Sequence, residues 1–527
     1  MVRGVVDRHG AGGVLEVGPV HLRALLCVAE ARHLTGRLAA THGPEYLWPG
    51  FDFTLVPLIF FEGPHVVVLA QHPDPPPEFR PLDLPVPGLE GVPLHYHVGE
   101  LPWLPAAAPV PVGGRVAAVL PFGVFREDAV PEALVAGLVH EAFHAHERAH
   151  GRSAPDLSRL SRYPELSPTN NALGNLEALI LYDFLVPRLT GPAGRSPGAS
   201  AEGPASGPGH DPVETERVAY EFSLIRRERR GPLEDDIIEY ESSLERAEGV
   251  ARYVEVRSLL GAMDGYRPGR AFVTLTGRER YTHAPDLLRD QFERLRGVNL
   301  RAAGAAWWRF FLSGMALALF ADFADADWKQ KVLAGKPLDA VIEERVVYDG
   351  GAGDERAIEC LKERYGYDAR LDSEREHARE EKRRKQALLA TLLRGAGTRI
   401  TFDLSALIAE ETWWESGRFV LVWDPASVEV VTQNVRIHRH GLRFAGFGTE
   451  VCVTGLPVVE DLKHRLLHVS VPEVGRLSFQ GDGRRCAMHR PAWFDEGLEL
   501  RLPGVAARAK SGLVQETGGT LYIKILR

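Results

Sequence analysis

Residues 134–150 read LVAGLVHEAFHAHERAH, and within this run His140, Glu141 and His144 form the pattern H-E-x-x-H. The surrounding apolar residues recur at helical spacing. Side chains four positions apart lie on one face of a helix, so the imidazoles of His140 and His144 can reach a single metal ion. Glu141 is rotated from His140 by about 100°, which sets its carboxylate beside such an ion rather than on it. Two neutral nitrogen ligands and an adjacent base for a water molecule are the parts of a hydrolytic zinc site. Zn2+ is therefore the expected cofactor, with His140 and His144 as ligands and Glu141 as general base.

A second H-E-x-x-H follows at once, made of His146, Glu147 and His150. It begins six residues later, so its histidine pair points about 240° away from the first. Leu134, Val135, Leu138, Val139, Ala142 and Phe143 flank or fill the first pattern, whereas the second contains Arg148 and runs into Gly151, a helix terminator. The first pair is read as the site and the second as a solvated helix end.

A zinc site of this kind needs a third protein ligand. His150 stands where the extended pattern H-E-x-x-H-x-x-G-x-x-H has its last histidine, but Glu147 occupies the glycine position that lets the chain turn back to the metal. A glutamate on a later helix is the other solution. Glu177 lies in NNALGNLEALILYDFL (170–185), and Glu248 lies in IIEYESSLERAEGVARYVEVRSLL (237–260). A third glutamate, Glu496 in PAWFDEGLEL (491–500), resembles the W-x-x-E-G lead-in of some zinc peptidases, although its surroundings read as strand and turn.

The combination of the H-E-x-x-H run with the segment from Glu248 to Glu255, EGVARYVE, resembles the gluzincins, the thermolysin and aminopeptidase N clan of zinc peptidases. That resemblance implies His140 and His144 as ligands, Glu141 as base, Glu248 as third ligand, and a zincin-like catalytic region. It also extends loosely to AAWWRFFLSGMALALFADFADADW (305–328), similar to helices that close such sites from the far side. The chain departs from the clan in two ways: 104 positions separate His144 from Glu248, and no G-A-M-E-N segment for a free substrate N-terminus is present. Glu248 is favoured over Glu177, and the residue after it argues against its being one more charge on an exposed helix face. Gly249 costs a helix interior about 1 kcal/mol, and such a glycine usually has a packing or functional reason. The plain reading is that Glu241, Glu245 and Glu248 form one exposed charged face, and that the glutamate which is not a ligand orients an imidazole or is a surface carboxylate.

Composition bounds the rest. The chain has 527 residues, 45% of them hydrophobic and 25% charged, which describes a globular protein of more than one domain. The net charge of −9 and the lack of a basic stripe interleaved with aromatics give no nucleic-acid partner. The cysteines, Cys27, Cys360, Cys452 and Cys486, include no C-x-x-C, so thiolate zinc is excluded while a Cys452–Cys486 pair stays open. The start, MVRGVVDRHGAGG, lacks a signal-peptide core, and the most apolar window, Ala305–Phe323, is interrupted by Arg309. A cytoplasmic protein with no membrane association is expected.

Along the chain, an α+β organisation is expected. Residues 1–126 read as a helix (Val20–Leu34) with sheet strands, including two buried strands in FTLVPLIFFEGPHVVVLAQHP and one in 114–124 to hold a substrate backbone by strand addition. Residues 127–395 read as the helical, zincin-like catalytic region, carrying a disordered Gly/Pro/Ala/Ser insert at 191–213. Residues 398–527 read as short strands at regular spacing, an all-β sandwich or barrel-like domain. Trp307, Trp308, Phe310 and Phe311 are expected to be mostly core, and Tyr253 and Tyr281 are oxyanion-donor candidates that a structural role suits better. The function expected is a zinc metallopeptidase acting on a peptide or protein substrate. A zinc hydrolase of a non-peptide amide or ester, or a catalytically inactive zincin-like binding protein, is the alternative.

Overall fold

The computed structural model describes the chain apart from residues 1–16, 63–65, 100, 102–108, 153–156, 191–210, 264, 298–304, 396, 408–418, 423–426, 472–477, 482–483, 488–491, 496, 518–519 and 527. Its order is a helix, a sheet, a long helical region and a β region. The N-terminal helix α1 (Pro19–His42) runs a further two turns past the apolar stretch that announces it. The sheet contains β1 (Leu58–Glu62), β2 (Val66–Ala70), β3 (Arg80–Pro81), β4 (Leu94–Val98), β5 (Val110–Val112) and β6 (Arg115–Pro121), in the order β3-β4-β2-β1-β6-β5. All its pairings are antiparallel except β1 with β6, where Leu58 lies opposite Ala118.

Strand period two explains why this sheet is apolar on both faces. Leu58, Phe60, Val68, Ala70, Ala118 and Leu120 point to the main core, while Ile59, Val67, Leu69, Ala117 and Val119 form a smaller cluster on the opposite side. The loop YLWPGFDF between α1 and the sheet is irregular but far from solvated. Tyr46, Leu47, Trp48, Phe51 and Phe53 are all buried in the main core.

The helical region comprises α2 (Pro131–Ala149), α3 (Pro168–Thr190), α4 (Pro212–Arg230), α5 (Asp235–Leu244), α6 (Val250–Met263), α7 (Arg270–Thr276), α8 (Ala284–Arg296) and α9 (Ala305–Ala324). It continues with α10 (Trp328–Leu333), α11 (Leu338–Glu343), α12 (Ala352–Arg364) and α13 (Tyr367–Arg394). One apolar core runs through α1, the main face of the sheet, α2, α3, α6 and α9, so sheet and helices form a single packed body. Of the expected insert at 191–213, residues 191–210 lie outside the described residues, and 211–213 are ordered. Asp211 caps α4, accepting from the backbone N–H of Val213 at 3.0 Å, and Pro212 takes the first helical position, where a missing N–H costs nothing.

The C-terminal region contains an eight-stranded and a seven-stranded sheet. Ile400, Phe402 and Ile523 from the first and Leu442, Val451 and Leu500 from the second enter one core, which makes a two-sheet sandwich. The region is docked on the helices. Val428, at the start of the edge strand Val428–Thr432, packs with Leu160, Tyr163 and Phe311, and Arg384 of α13 is ion-paired with the buried Glu429. Cys452 is a free thiol, so a Cys452–Cys486 bridge is not formed. Among the described residues, no helix is long and apolar enough to cross a membrane.

Candidate metal centre

Helix α2 starts at Pro131 and ends before Gly151, whose φ of 74° lies in the left-handed region that favours glycine. It packs against β6 on one side and α6 on the other, so the face bearing His140 and His144 is turned inward. The facing run is α5, a five-residue π-turn (Glu245–Gly249) and α6. Glu248 sits on the π-turn.

His140, His144 and Glu248 come together, with one ligand atom from each lying within 4.8 Å of the others. Nε2 of His144 is 3.1 Å from Nε2 of His140 and 3.2 Å from Oε2 of Glu248. Two donor atoms at zinc-ligand distance from one ion, at the tetrahedral angle, are about 3.3 Å apart. Both contacts therefore have the length of an edge of a metal tetrahedron, and the donor set of two imidazole nitrogens and a carboxylate oxygen suits a divalent ion. The side chains of His140, His144 and Glu248 are 9%, 19% and 12% exposed, so the cluster is sheltered without being sealed.

The electrostatics agree with the geometry. Burial alone disfavours a charged His144, but the carboxylate of Glu248, helped by Glu141 and Glu147, holds its pKa up at about 9. Burial likewise opposes a charged Glu248, and His144 together with His140 pulls its carboxyl below the ordinary range. Three carboxylates thus favour a positive charge at His144, a field that a divalent cation would neutralise.

Glu141 stands next to the cluster, half-buried, and among the described residues no hydrogen bond or ion pair engages its carboxylate. A carboxylate left free beside a candidate metal position is what a general base requires. Glu255 is a residue that motif reading alone did not single out. It is buried, its Oε2 lies 3.2 Å from Nδ1 of His140, and Arg252 holds it at 2.6 Å. Burial raises its pKa, but Arg252 and then His140 bring it below the ordinary value. A carboxylate on the far nitrogen of a ligand histidine fixes the ring's orientation and tautomer. Its sequence signal was its spacing, seven residues or two helical turns after Glu248.

The rival third ligands are placed elsewhere. Glu177 is 3% exposed and accepts from Arg226 at 2.9 Å and from Arg229, both on α4. Arg229 also donates to Glu241 at 2.9 Å, and Arg226 to Glu245 at 2.8 Å. Glu241 and Glu245 are therefore not an exposed charged face, being 0% and 1% exposed inside an arginine network. His150 is exposed at the helix end, its Nδ1 turned back to the carbonyl of His146 at 2.8 Å. Glu496 lies outside the described residues. His146, read from the sequence as solvated, is buried instead. The ring of Phe51 lies 5.4 Å away, and burial, then His150 and Arg152, lower its pKa to about 4.

The remaining candidates separate clearly. Tyr253 donates to Asp322 at 2.9 Å and Tyr281 to Glu30 at 3.1 Å, so both hydroxyls are structural. Trp307 and Phe310 are core, as expected. Phe311, also buried, stacks nearly parallel to His140 with ring centroids 6.3 Å apart, and Trp308, 45% exposed, lies 4.8 Å beyond it. The aromatic cluster therefore reaches from the core to the cluster's edge. No family model, curated protein or solved structure matches the chain, and the site is read from its own geometry.

Proposed function

We propose that the chain is a zinc-dependent metallopeptidase with a zincin-like catalytic region. The observation that carries this reading is the meeting of Glu248 with the H-E-x-x-H pair, Oε2 at 3.2 Å from Nε2 of His144, beside a Glu141 carboxylate that no described residue hydrogen-bonds or ion-pairs. A structural metal site has no use for that extra carboxylate.

His140, His144 and Glu248 would hold the ion. When bound, zinc supplies a Lewis acid and lowers the pKa of water at its open position toward ~7. Glu141 would accept a proton from the attacking water and deliver it to the leaving nitrogen, so one carboxylate would serve as base and then as acid. Glu255 keeps His140 aimed with Nε2 inward. The Phe311 ring lies nearly parallel to that of His140, centroids 6.3 Å apart, and gives the site an apolar neighbour. The substrate backbone would add to β6. Ala118–Pro121 is paired with β1 on one side, and among the described residues β5 pairs with Arg115–Ala117 on the other. A strand added there would run beside α2.

Elemental mass spectrometry of the purified full-length chain, beside His140→Ala, tests the proposal. About one zinc per chain, lost in the variant, is the expected result. A wild-type chain that takes up no zinc after reconstitution overturns it. A zinc-loaded chain that leaves a diverse peptide library uncut, yet hydrolyses simple amides or esters, would move the assignment to a non-peptide hydrolase.

A further inference from the structure

The turn that carries Glu248 is irregular for a visible reason. Within Glu245–Gly249 the helix widens into a π-turn, which inserts one residue and rotates α5 relative to α6 by about 100°. Such insertions weaken a helix and recur at functional sites. Here the backbone of α9 lies directly against the widened turn. A methyl group on Gly249 would come within 2.4 Å of Cα of Gly314 and 3.0 Å of the backbone N of Met315. A methyl group on Gly314 would come within 2.3 Å of the carbonyl oxygen of Glu245 and 2.8 Å of Cα of Gly249. These obstacles are backbone atoms, so a side chain at either position must move the turn or the helix.

The residue before Gly314 locks the same turn from its side chain. Ser313 donates its hydroxyl to Oε1 of Glu245 at 2.7 Å, and Arg226 donates to both oxygens of that carboxylate at 2.8 Å. Glu245 is buried, so these bonds have little competition from water. The turn is thus gripped by the Gly314 backbone and by the Ser313–Glu245–Arg226 chain. Glu248 follows three residues later and meets His144.

We infer that Ser313 and Gly314 of α9 are positioning residues for the metal centre, holding the π-turn in the one register that presents the Glu248 carboxylate to His144. The inference rests on the metal-centre reading above and extends it to a helix that supplies no ligand. Residues that orient ligands typically change metal affinity 10–100-fold when removed, and that is the scale expected of Ser313→Ala.

The test uses the full-length chain. Zinc affinity is measured by chelator competition, and Co2+ is substituted so that its visible absorption reports ligand geometry. Wild type, Ser313→Ala, Ser313→Thr and Gly314→Ala are compared, with thermal melting of each metal-free form. The expected result is a 10–100-fold weaker zinc affinity and an altered cobalt spectrum in Ser313→Ala, both restored towards wild type by the hydroxyl of Ser313→Thr. Gly314→Ala should show a larger change in the same direction. Wild-type affinity and spectrum in Ser313→Ala overturn the inference while leaving the metal centre standing. So does a Ser313→Ala chain that melts early without metal but keeps the wild-type cobalt spectrum, since the serine then acts on stability alone. A wild-type chain that binds neither ion removes the metal centre and this inference together.

Discussion

Glu248 and Glu255 stand two helical turns apart on one continuous helical run, and each meets a different histidine of α2. Oε2 of Glu248 lies 3.2 Å from Nε2 of His144, and Oε2 of Glu255 lies 3.2 Å from Nδ1 of His140. The nitrogen each one addresses separates their roles. Glu248 joins the side on which the two Nε2 atoms converge, whereas Glu255 sits behind the His140 ring. One helical run thereby places a carboxylate on each side of the proposed metal-binding pair.

Glu255→Ala should weaken zinc binding by roughly 10–100-fold, with the ligand set otherwise intact. Glu255→Gln, which keeps an acceptor for Nδ1, should lose less. Chelator competition measures both, and a wild-type affinity in Glu255→Ala would show that the carboxylate does not orient His140.

Glu141→Gln should abolish hydrolysis while retaining about one zinc per chain, because the amide can neither accept nor return the proton. Activity and metal content must be read on the same sample. Full turnover in the variant would remove Glu141 from the mechanism.

Glu177→Ala and Glu248→Ala should fail in opposite ways. Glu177 joins two buried arginines, and breaking a buried ion pair by removing one partner costs about 3–5 kcal/mol. Its loss should therefore lower the denaturation midpoint steeply. Glu248→Ala should lose zinc, at a smaller cost to the metal-free chain than Glu177→Ala. A Glu177→Ala chain of wild-type stability would contradict the network as described.

Glu30 should contribute a fall in stability as pH rises from about 4.5 to about 7, against the rise contributed by His146. Burial pushes its carboxyl from the ordinary 4.5 up to about 7, against the hydroxyls of Tyr266 and Tyr281 and the N–H of Gly269, which favour the anion. The folded chain then keeps a proton that the unfolded chain releases in this window, so folding is favoured at the acid end and that contribution is lost above the folded pKa. Denaturant melts of wild type and Glu30→Gln across the window test this, and the wild type should lose stability relative to the variant as pH rises. Parallel profiles would remove Glu30 as the source.

How much of this was readable in advance follows the range of the interactions. His140, Glu141 and His144 were legible because their relation depends on one helix and a period of 3.6 residues. The two faces of β1, β2 and β6 were legible as apolar runs for the same kind of local reason. The choice between Glu177 and Glu248 was different. It turned on whether Arg226 and Arg229 of α4 would claim one of them, and that is a contact between helices. Gly249 hinted at a close approach, but nothing local says that Gly314, on α9, is what approaches.

His146 marks the same boundary from the other side. Its position beside charged residues at a helix end reads as solvent, yet Phe51, nearly a hundred positions earlier, folds over it. Local periodicity, caps and turn residues determined by themselves which segments are helix or strand and which two histidines share a face. Only the tertiary structure decided which carboxylates reach those histidines, which are consumed by arginines, and which aromatic rings enclose the site. Those outcomes depend on the packing of elements distant in sequence, where burial makes a pairing obligatory but does not name the partner.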